Sequence, residues 1–314
     1  TDYTWTIGYY LMGTGDGQWA DRIEKAIFNA GFGAITKDFH TMQYFSCPNQ
    51  FIATGNSNHN DFKKGLTWMA YRPVHETECC IGNLHRYFPN YVARMWLKDE
   101  NGHPVAALYG PSSVTYDLGD GLVVNINEKT AYPFEEQIDF EFEFYKDGRK
   151  SKDAHQMDFT YRIPGWCKSS DISGFHTVSK EWTSGEVFTV ALPMDVEVVP
   201  NPVEGICIQR GPVVYSYAIP ADCEEDMEVY DYLAGKVSAN PDFKCWNMTP
   251  AGKWNYALVE DKLDDLKVSF TGASGFPFDL ENVPVKITVP VVGVEGWTLV
   301  EDRYTPALPE TVVP

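Results

Sequence analysis

Ile138, Phe140, Phe142 and Phe144 alternate with Asp139, Glu141 and Glu143, and a second run sets Met157, Phe159, Tyr161 and Ile163 against Asp158, Thr160 and Arg162. Successive side chains of an extended chain point to opposite faces, so a period of two collects the apolar groups on one side. Such segments are half-buried antiparallel strands, one face in a core and the other in water. Further strand-like runs at 104–109, 120–126, 187–192, 205–217 and 283–292 are separated by Pro and Gly turns. From about residue 98 onward the chain therefore reads as one or two β-sandwich units.

Upstream of Lys98-Asp99-Glu100-Asn101-Gly102 the period is helical. Trp19, Ala20, Ile23, Ala26 and Ile27 recur at helical spacing behind Asp16-Gly17, and Asn29-Ala30-Gly31 supplies a stop. Trp5, Ile7, Tyr9, Leu11 and Met12 precede the flexible connection Gly13-Thr14-Gly15-Asp16-Gly17, which predicts an antiparallel helical hairpin. Leu84, Phe88, Tyr91, Val92 and Met95 predict a third helix from about Asn83 to Trp96, with Pro89 in an early turn or at a kink. Residues 32–78 form a long connection rich in Asn, Thr, Gly and aromatics. Connections of that length in compact domains are usually functional, so this one reads as active-site wall.

The 314 residues are 44% apolar and 14% aromatic, ample for packed cores. Forty-four acidic against 25 basic residues give a net charge of −19, which repels nucleic acid and anionic lipid and favours neutral or cationic ligands. Nucleic acid is thus excluded as a partner. A membrane is excluded too, since no apolar stretch approaches the roughly 20 residues that span a bilayer. The N-terminus, Thr1-Asp2-Tyr3-Thr4-Trp5, carries neither a starting Met nor an export signal and is expected to continue something longer.

Reactive groups concentrate in His75-Glu76-Thr77-Glu78-Cys79-Cys80-Ile81-Gly82-Asn83-Leu84-His85-Arg86, where two thiols, two carboxylates and flanking histidines lie together. Adjacent cysteines rarely bond to each other because the intervening peptide strains the ring. From the residues alone, three readings of Cys79-Cys80 stay open: an inert packing pair, ligands for a soft metal, or a nucleophile. A place just before the predicted helix would favour the thiolate through the helix's backbone N–H groups. Cys167, Cys207, Cys223 and Cys245 read as packing residues, with Cys47 in the aromatic loop as a partial exception, and His59 and His75 as structural histidines. Tyr44 and Phe45 stand where a sugar ring could stack, with core packing as the alternative.

The run Thr77-Glu78-Cys79-Cys80-Ile81-Gly82-Asn83, followed by Arg86 and Pro89-Asn90-Tyr91-Val92-Ala93-Arg94-Met95-Trp96, resembles the double-cysteine signature of glycoside hydrolase family 127, best known for β-L-arabinofuranosidases. The resemblance continues in Trp19-Ala20-Asp21-Arg22-Ile23-Glu24-Lys25, Gln43-Tyr44-Phe45-Ser46-Cys47-Pro48-Asn49-Gln50, Tyr161-Arg162-Ile163-Pro164-Gly165-Trp166, Arg210-Gly211-Pro212 and Gly296-Trp297-Thr298-Leu299, in order along nearly the whole chain. It implies a multidomain α plus β protein: the C-terminal part of an α/α (six-hairpin) barrel over 1–97, then all-β sandwich regions over 98–200 and 201–314. It also implies a retaining exo-glycosidase acting on an oligosaccharide, at terminal furanose-like sugars of plant glycans.

By the same resemblance Cys79 is the nucleophile and zinc the cofactor, with Cys79 and Cys80 as ligands. The family's other two ligands, a glutamate and a cysteine, fall just before the first helix here. Matching that helix puts Asp2 at the cysteine position, and Glu78 is a candidate replacement for a missing donor. The family's acid/base glutamate precedes the matched region, so an upstream barrel segment of the same protein is the expected partner. The competing expectation is a non-catalytic carbohydrate-binding or structural fragment.

Overall fold

Helix α1 (Asp2–Thr14) stops where Gly15 takes φ +63° and its N–H bonds back to the Leu11 carbonyl at 3.0 Å. This left-handed residue closes the helix because it has no Cβ to collide with the turn. Asp16 then caps α2 (Gly17–Lys25) by accepting from the Gln18 N–H at 3.0 Å. A single π-helical turn over Ala26–Gly31 ends the segment, so the expected helical pair is present. Ile7, Leu11, Ala20, Ile23 and Ile27 are buried, whereas Trp5, Tyr9, Tyr10 and Met12 remain exposed on α1.

These features come from a computed structural model that describes residues 1–47, 50–57, 68–77, 79–168, 172–201, 205–233 and 240–300. Glu78 and His59, both named above, lie outside the described residues. The fold is mixed α and β, with mostly sheet. Its contacts gather the chain into two compact units that interleave along the sequence, Thr1–Ala30 with His85–Tyr215 and Gly31–Leu84 with Ser216–Pro314. The third helix, α3 (Cys79–Val92), begins four residues earlier than the periodicity predicts. The paired cysteines therefore open its first turn instead of preceding it, and Pro89 lies in its interior, near its C-terminal end.

The first unit contains β1 (Trp96–Lys98), β2 (Pro104–Ala106), β3 (Ser112–Gly119), β4 (Leu122–Thr130), β5 (Gln137–Lys146), β6 (Arg149–Lys150), β7 (His155–Ile163), β8 (Gly174–Trp182), β9 (Val187–Ala191), β10 (Val196–Pro200), β11 (Ile206–Arg210) and β12 (Val213–Tyr215). One sheet runs β1-β2-β7-β8, a second runs β3-β4-β5-β6 with β9 also paired to β5, and a third runs β10-β11-β12. All these pairings are antiparallel except β2 with β7, which is parallel. Ile138, Phe140, Phe142, Phe144 and Phe159 have no exposed surface, as the pattern demands. The second half of β7 departs from it: Thr160 and Arg162, which alternation sets on the water side, are buried, while Tyr161 and Ile163 are only half-buried, because Arg162 turns inward to the buried Glu24 carboxylate. Phe142 meets Phe159 edge-on at 5.1 Å and Trp182 at 4.5 Å, joining the inner faces of the first two sheets.

Beneath this sandwich, fully buried Arg162 of β7 reaches α2. It pairs with Asp21, and with Glu24 at 2.6 Å, while its Nε donates to the Ala107 carbonyl at 2.7 Å. Glu24, itself without exposed surface, also accepts from the Tyr109 N–H at 3.1 Å and from the Tyr132 hydroxyl. A charge this deep is tolerated only when an opposite charge and hydrogen bonds compensate its lost hydration.

In the second unit β13 (Ala221–Glu225) pairs with β14 (Trp246–Pro250), β15 (Tyr256–Leu258) with β18 (Val291–Gly293), and β16 (Lys267–Phe270) with β17 (Val285–Thr288). The short helix α4 (Glu228–Tyr232) brings Val229 and Tyr230, with Leu233 just after it, against buried Cys245. Single bridges, Ala53 to Met248 and Tyr71 to Trp246, fix the described parts of the 32–78 connection to β14. Fully buried Arg72 adds bonds to the Trp246 carbonyl, to Asn247 at 2.6 Å and to Asp226 at 3.0 Å. Much of that connection is therefore a structural belt of its own unit.

Candidate active site

Tyr44 reaches Cys79 because a short ladder holds its backbone. Met42 and Arg72 exchange N–H···O bonds at 3.1 and 3.0 Å, the Phe45 N–H donates to the Trp68 carbonyl at 2.9 Å, and the Gln43 side-chain amide donates to the Met69 carbonyl at 3.0 Å. Residues alternate along such a ladder, so with Gln43 turned into the core Tyr44 is turned out of it. Trp68 stacks on Tyr44 at 4.8 Å, Phe45 packs edge-on at 4.9 Å, and the buried His75 ring stands at 5.6 Å. One face of Tyr44 is thereby covered. Its hydroxyl lies 3.5 Å from the Cys79 sulfur, which is itself 3.9 Å from the Cys80 sulfur.

The two thiols differ in kind. Cys79 is exposed, and the hydrogen bond from Tyr44, with help from Cys80 and from backbone N–H groups of the first helical turn, lowers its pKa below the ordinary thiol value. Burial pushes Cys80 up to about 11, and the bond to Cys79 adds to this. Tyr44 moves in the complementary direction, up to about 12, since losing its proton would leave an anion beside a thiolate. Cys47 and Cys245 are each pushed up to about 11 by burial, as packing residues should be. Among the described cysteines whose acidity is displaced, Cys79 is the one made more acidic, and thiolate character is what a nucleophile or a metal ligand requires.

The sulfur pair fits zinc by a geometric test. Thiolates bound at about 2.3 Å to a tetrahedral ion stand about 3.8 Å apart, and the observed separation is 3.9 Å. Among the described residues of the same unit, no further His, Cys, Asp or Glu donor joins them into a three-donor group. Asp2 belongs to the other unit, where its carboxylate is paired with Arg86 at 3.4 Å. The structure thus brings together Tyr44, Phe45, Cys79 and Cys80. Trp68, which sequence reasoning missed, becomes part of this site through the ladder; its only signal was being aromatic within the long connection.

Comparison with known proteins decides the kinship. The family model described as the GH127 β-L-arabinofuranosidase catalytic domain matches residues 7–93, and that of the GH127 middle domain matches residues 105–194, together more than half of the chain in the expected order. The chain belongs to glycoside hydrolase family 127. Among solved structures, a GH127 β-L-arabinofuranosidase from Geobacillus stearothermophilus T6 aligns with TM-score 0.63 at 21% identity, covering 94% of this chain and 42% of that one. The GH127 β-arabinofuranosidase BT3674 aligns with TM-score 0.61 at 16% identity, covering 97% and 44%. A protein described as a glycoside hydrolase aligns with TM-score 0.53 at 20% identity, covering 72% and 37%. At these identities the likeness shows a shared fold, and the chain spans less than half the length of each of these family 127 or glycoside hydrolase structures. No curated protein matches the sequence. No helix among the described residues is long and apolar enough to cross a membrane.

Proposed function

We propose that the chain is part of a retaining exo-glycosidase of the β-L-arabinofuranosidase type, acting on terminal furanose-like sugars of plant oligosaccharides, with Cys79 as nucleophile. The observation that carries this reading is the exposed Cys79 sulfur, made more acidic by the Tyr44 hydroxyl and opening a helix within a segment that matches the family's catalytic domain. In the reaction the Cys79 thiolate attacks the anomeric carbon, a C–S bond forms and the glycosidic C–O bond breaks, and the leaving oxygen takes a proton from the acid/base residue. Water, deprotonated by that same residue, then forms a new C–O bond as the C–S bond breaks, so the configuration is retained. Tyr44 supports the thiolate by donating to it, and with Phe45 it offers aromatic surface to the sugar. Cys79 and Cys80 would hold zinc, with Glu78 as the candidate further donor, and the bound ion would supply positive charge that favours the thiolate.

The same reading takes α1, α2 and α3 as the last helices of an α/α barrel over residues 1–97, followed by sandwiches over 98–200 and 201–314. The exposed aromatic face of α1, with Trp5, Tyr9 and Tyr10, supports a covering barrel segment as its intramolecular partner. The test is turnover of an aryl β-L-arabinofuranoside by the full-length protein. Cys79→Ser is expected to lower kcat by more than about 10³-fold while the circular dichroism spectrum is retained. Undiminished turnover by that variant removes Cys79 from the mechanism, and a fully folded protein inert toward furanosides leaves a non-catalytic carbohydrate-binding role.

A further inference from the structure

Far from the thiols in sequence, the sandwich unit brings two carboxylates and an imidazole to one point. The register makes this unavoidable. Lys98 of β1 pairs with Pro104 of β2, which sets Asp99 level with His103 across the five-residue turn. Val105 pairs with Thr160 in the parallel β2–β7 ladder, which sets His103 level with Asp158. His103 Nδ1 consequently lies 3.6 Å from Asp99 Oδ2 and 3.7 Å from Asp158 Oδ2, and the three donor atoms all fall within 4.8 Å of one another.

These separations are too long for hydrogen bonds, whose N–H···O distances cluster near 2.9 Å. They are close to the spacing of ligands around an ion, since donors about 2.1 Å from a tetrahedral centre stand about 3.4 Å apart. An independent observation points the same way. His103 Nδ1 is shielded from solvent and has no hydrogen-bond partner, although a buried ring nitrogen normally has one. The Asp99 carboxylate is held in place by its own turn. Its Oδ1 accepts from the Asn101 and His103 N–H groups at 2.9 and 2.8 Å, which leaves Oδ2 directed at the cluster.

We propose that Asp99, His103 and Asp158 form a divalent-cation site of the zinc class that clasps the β1–β2 turn to β7. One nitrogen and two carboxylate oxygens suit zinc or a similar first-row ion and disfavour calcium, which takes oxygen ligands throughout. Three protein donors leave a position for water, and the ion neutralises two carboxylates in a strongly acidic chain. The site shares no residue with the thiol pair and does not depend on the glycosidase reading.

The test titrates the chelator-stripped full chain carrying Cys79→Ser and Cys80→Ser with zinc chloride by calorimetry. One equivalent is expected to bind, and its affinity is expected to fall more than about tenfold with His103→Ala or Asp158→Asn. Cobalt provides a second readout on the chain with its thiols intact. His103→Ala should there remove one equivalent of visible d–d absorption while any thiolate-to-metal band stays unchanged. The proposal is overturned if the double-serine chain, folded by circular dichroism, shows no saturable zinc binding, or if His103→Ala leaves both the zinc stoichiometry and the cobalt spectrum unaltered.

Discussion

The hydroxyl of Tyr44 gives Cys79 its acidity, so one oxygen atom is the place to test it. Tyr44→Phe keeps the ring stacked on Trp68 but removes the donor that stabilises the thiolate, so the Cys79 pKa must rise and the thiolate fraction near neutrality must fall. In the presence of a chelator, iodoacetamide should alkylate Cys79 roughly several-fold more slowly at pH 7 in the variant, with the rate midpoint moved to higher pH; an unmoved midpoint would show that Tyr44 is only a neighbour. The Cys79-Cys80 pair was legible in the sequence as the densest cluster of reactive groups. The Tyr44 contact was not, because it depends on pairing residues 42–45 with 68–72 across a connection whose sequence carries no strand alternation. A second titration belongs to the sandwich. Burial raises Glu128 from an ordinary 4.5 to about 8, against bonds from the Gly110 N–H at 3.0 Å and the Ser112 hydroxyl at 2.9 Å. A carboxyl that binds its proton more tightly when folded contributes stability in full below about pH 4.5, and the contribution is lost as pH rises through about 8. Glu128→Gln keeps a carbonyl for Gly110 and offers Ser112 an amide, so denaturation midpoints of the variant should decline less than wild type between about pH 5 and 8.5. The difference should be on the order of a few kcal/mol, and parallel declines would place the titration elsewhere.

Elements end where single residues make them end. Gly15 sits at φ +63° between α1 and α2, and substitution by alanine places a Cβ in the left-handed region. Gly15→Ala should cost about 1–2 kcal/mol, read as a lower urea midpoint with unchanged slope; a neutral result would mean that the turn relaxes freely. At this scale the sequence was legible wherever a period or a cap exists. β5 and the first half of β7 follow their alternation, β4 and β9 overlap the strand-like runs at 120–126 and 187–192, and α2 follows Asp16. The start of α3 was missed because Cys79-Cys80-Ile81-Gly82 carries neither a capping residue nor apolar periodicity. β3 and β8 escaped because polar residues and glycine fill most of their positions, and β13 escaped because every residue of it is exposed. The parallel β2–β7 pairing was also illegible, since register between strands some fifty residues apart is set by packing and not by local pattern. That same pairing aligns His103 with Asp158.

Across the larger unit, Arg162 is the residue through which the helical segment and the sandwich depend on each other. It starts on β7, crosses Tyr109 at 5.2 Å and ends on Asp21 and Glu24 of α2, all without exposed surface of its own. Removing it leaves the Glu24 carboxylate stranded in a dry interior and the partly exposed Asp21 without its partner, and burial already raises the Glu24 pKa while Arg162 opposes that rise. Arg162→Met should therefore cost about 3–5 kcal/mol, far more than the loss of a surface ion pair. Because the lost charge serves both partners, the helical signal at 222 nm and the fluorescence of the sandwich tryptophans should still fall in one transition, displaced together to lower denaturant. Glu24→Leu added to Arg162→Met removes the stranded carboxylate and should recover part of the loss, with a coupling of about 1–3 kcal/mol. Two separate transitions in wild type, or strictly additive losses in the double variant, would mean that the helices and the sandwich fold independently and that the buried pair is incidental to their union.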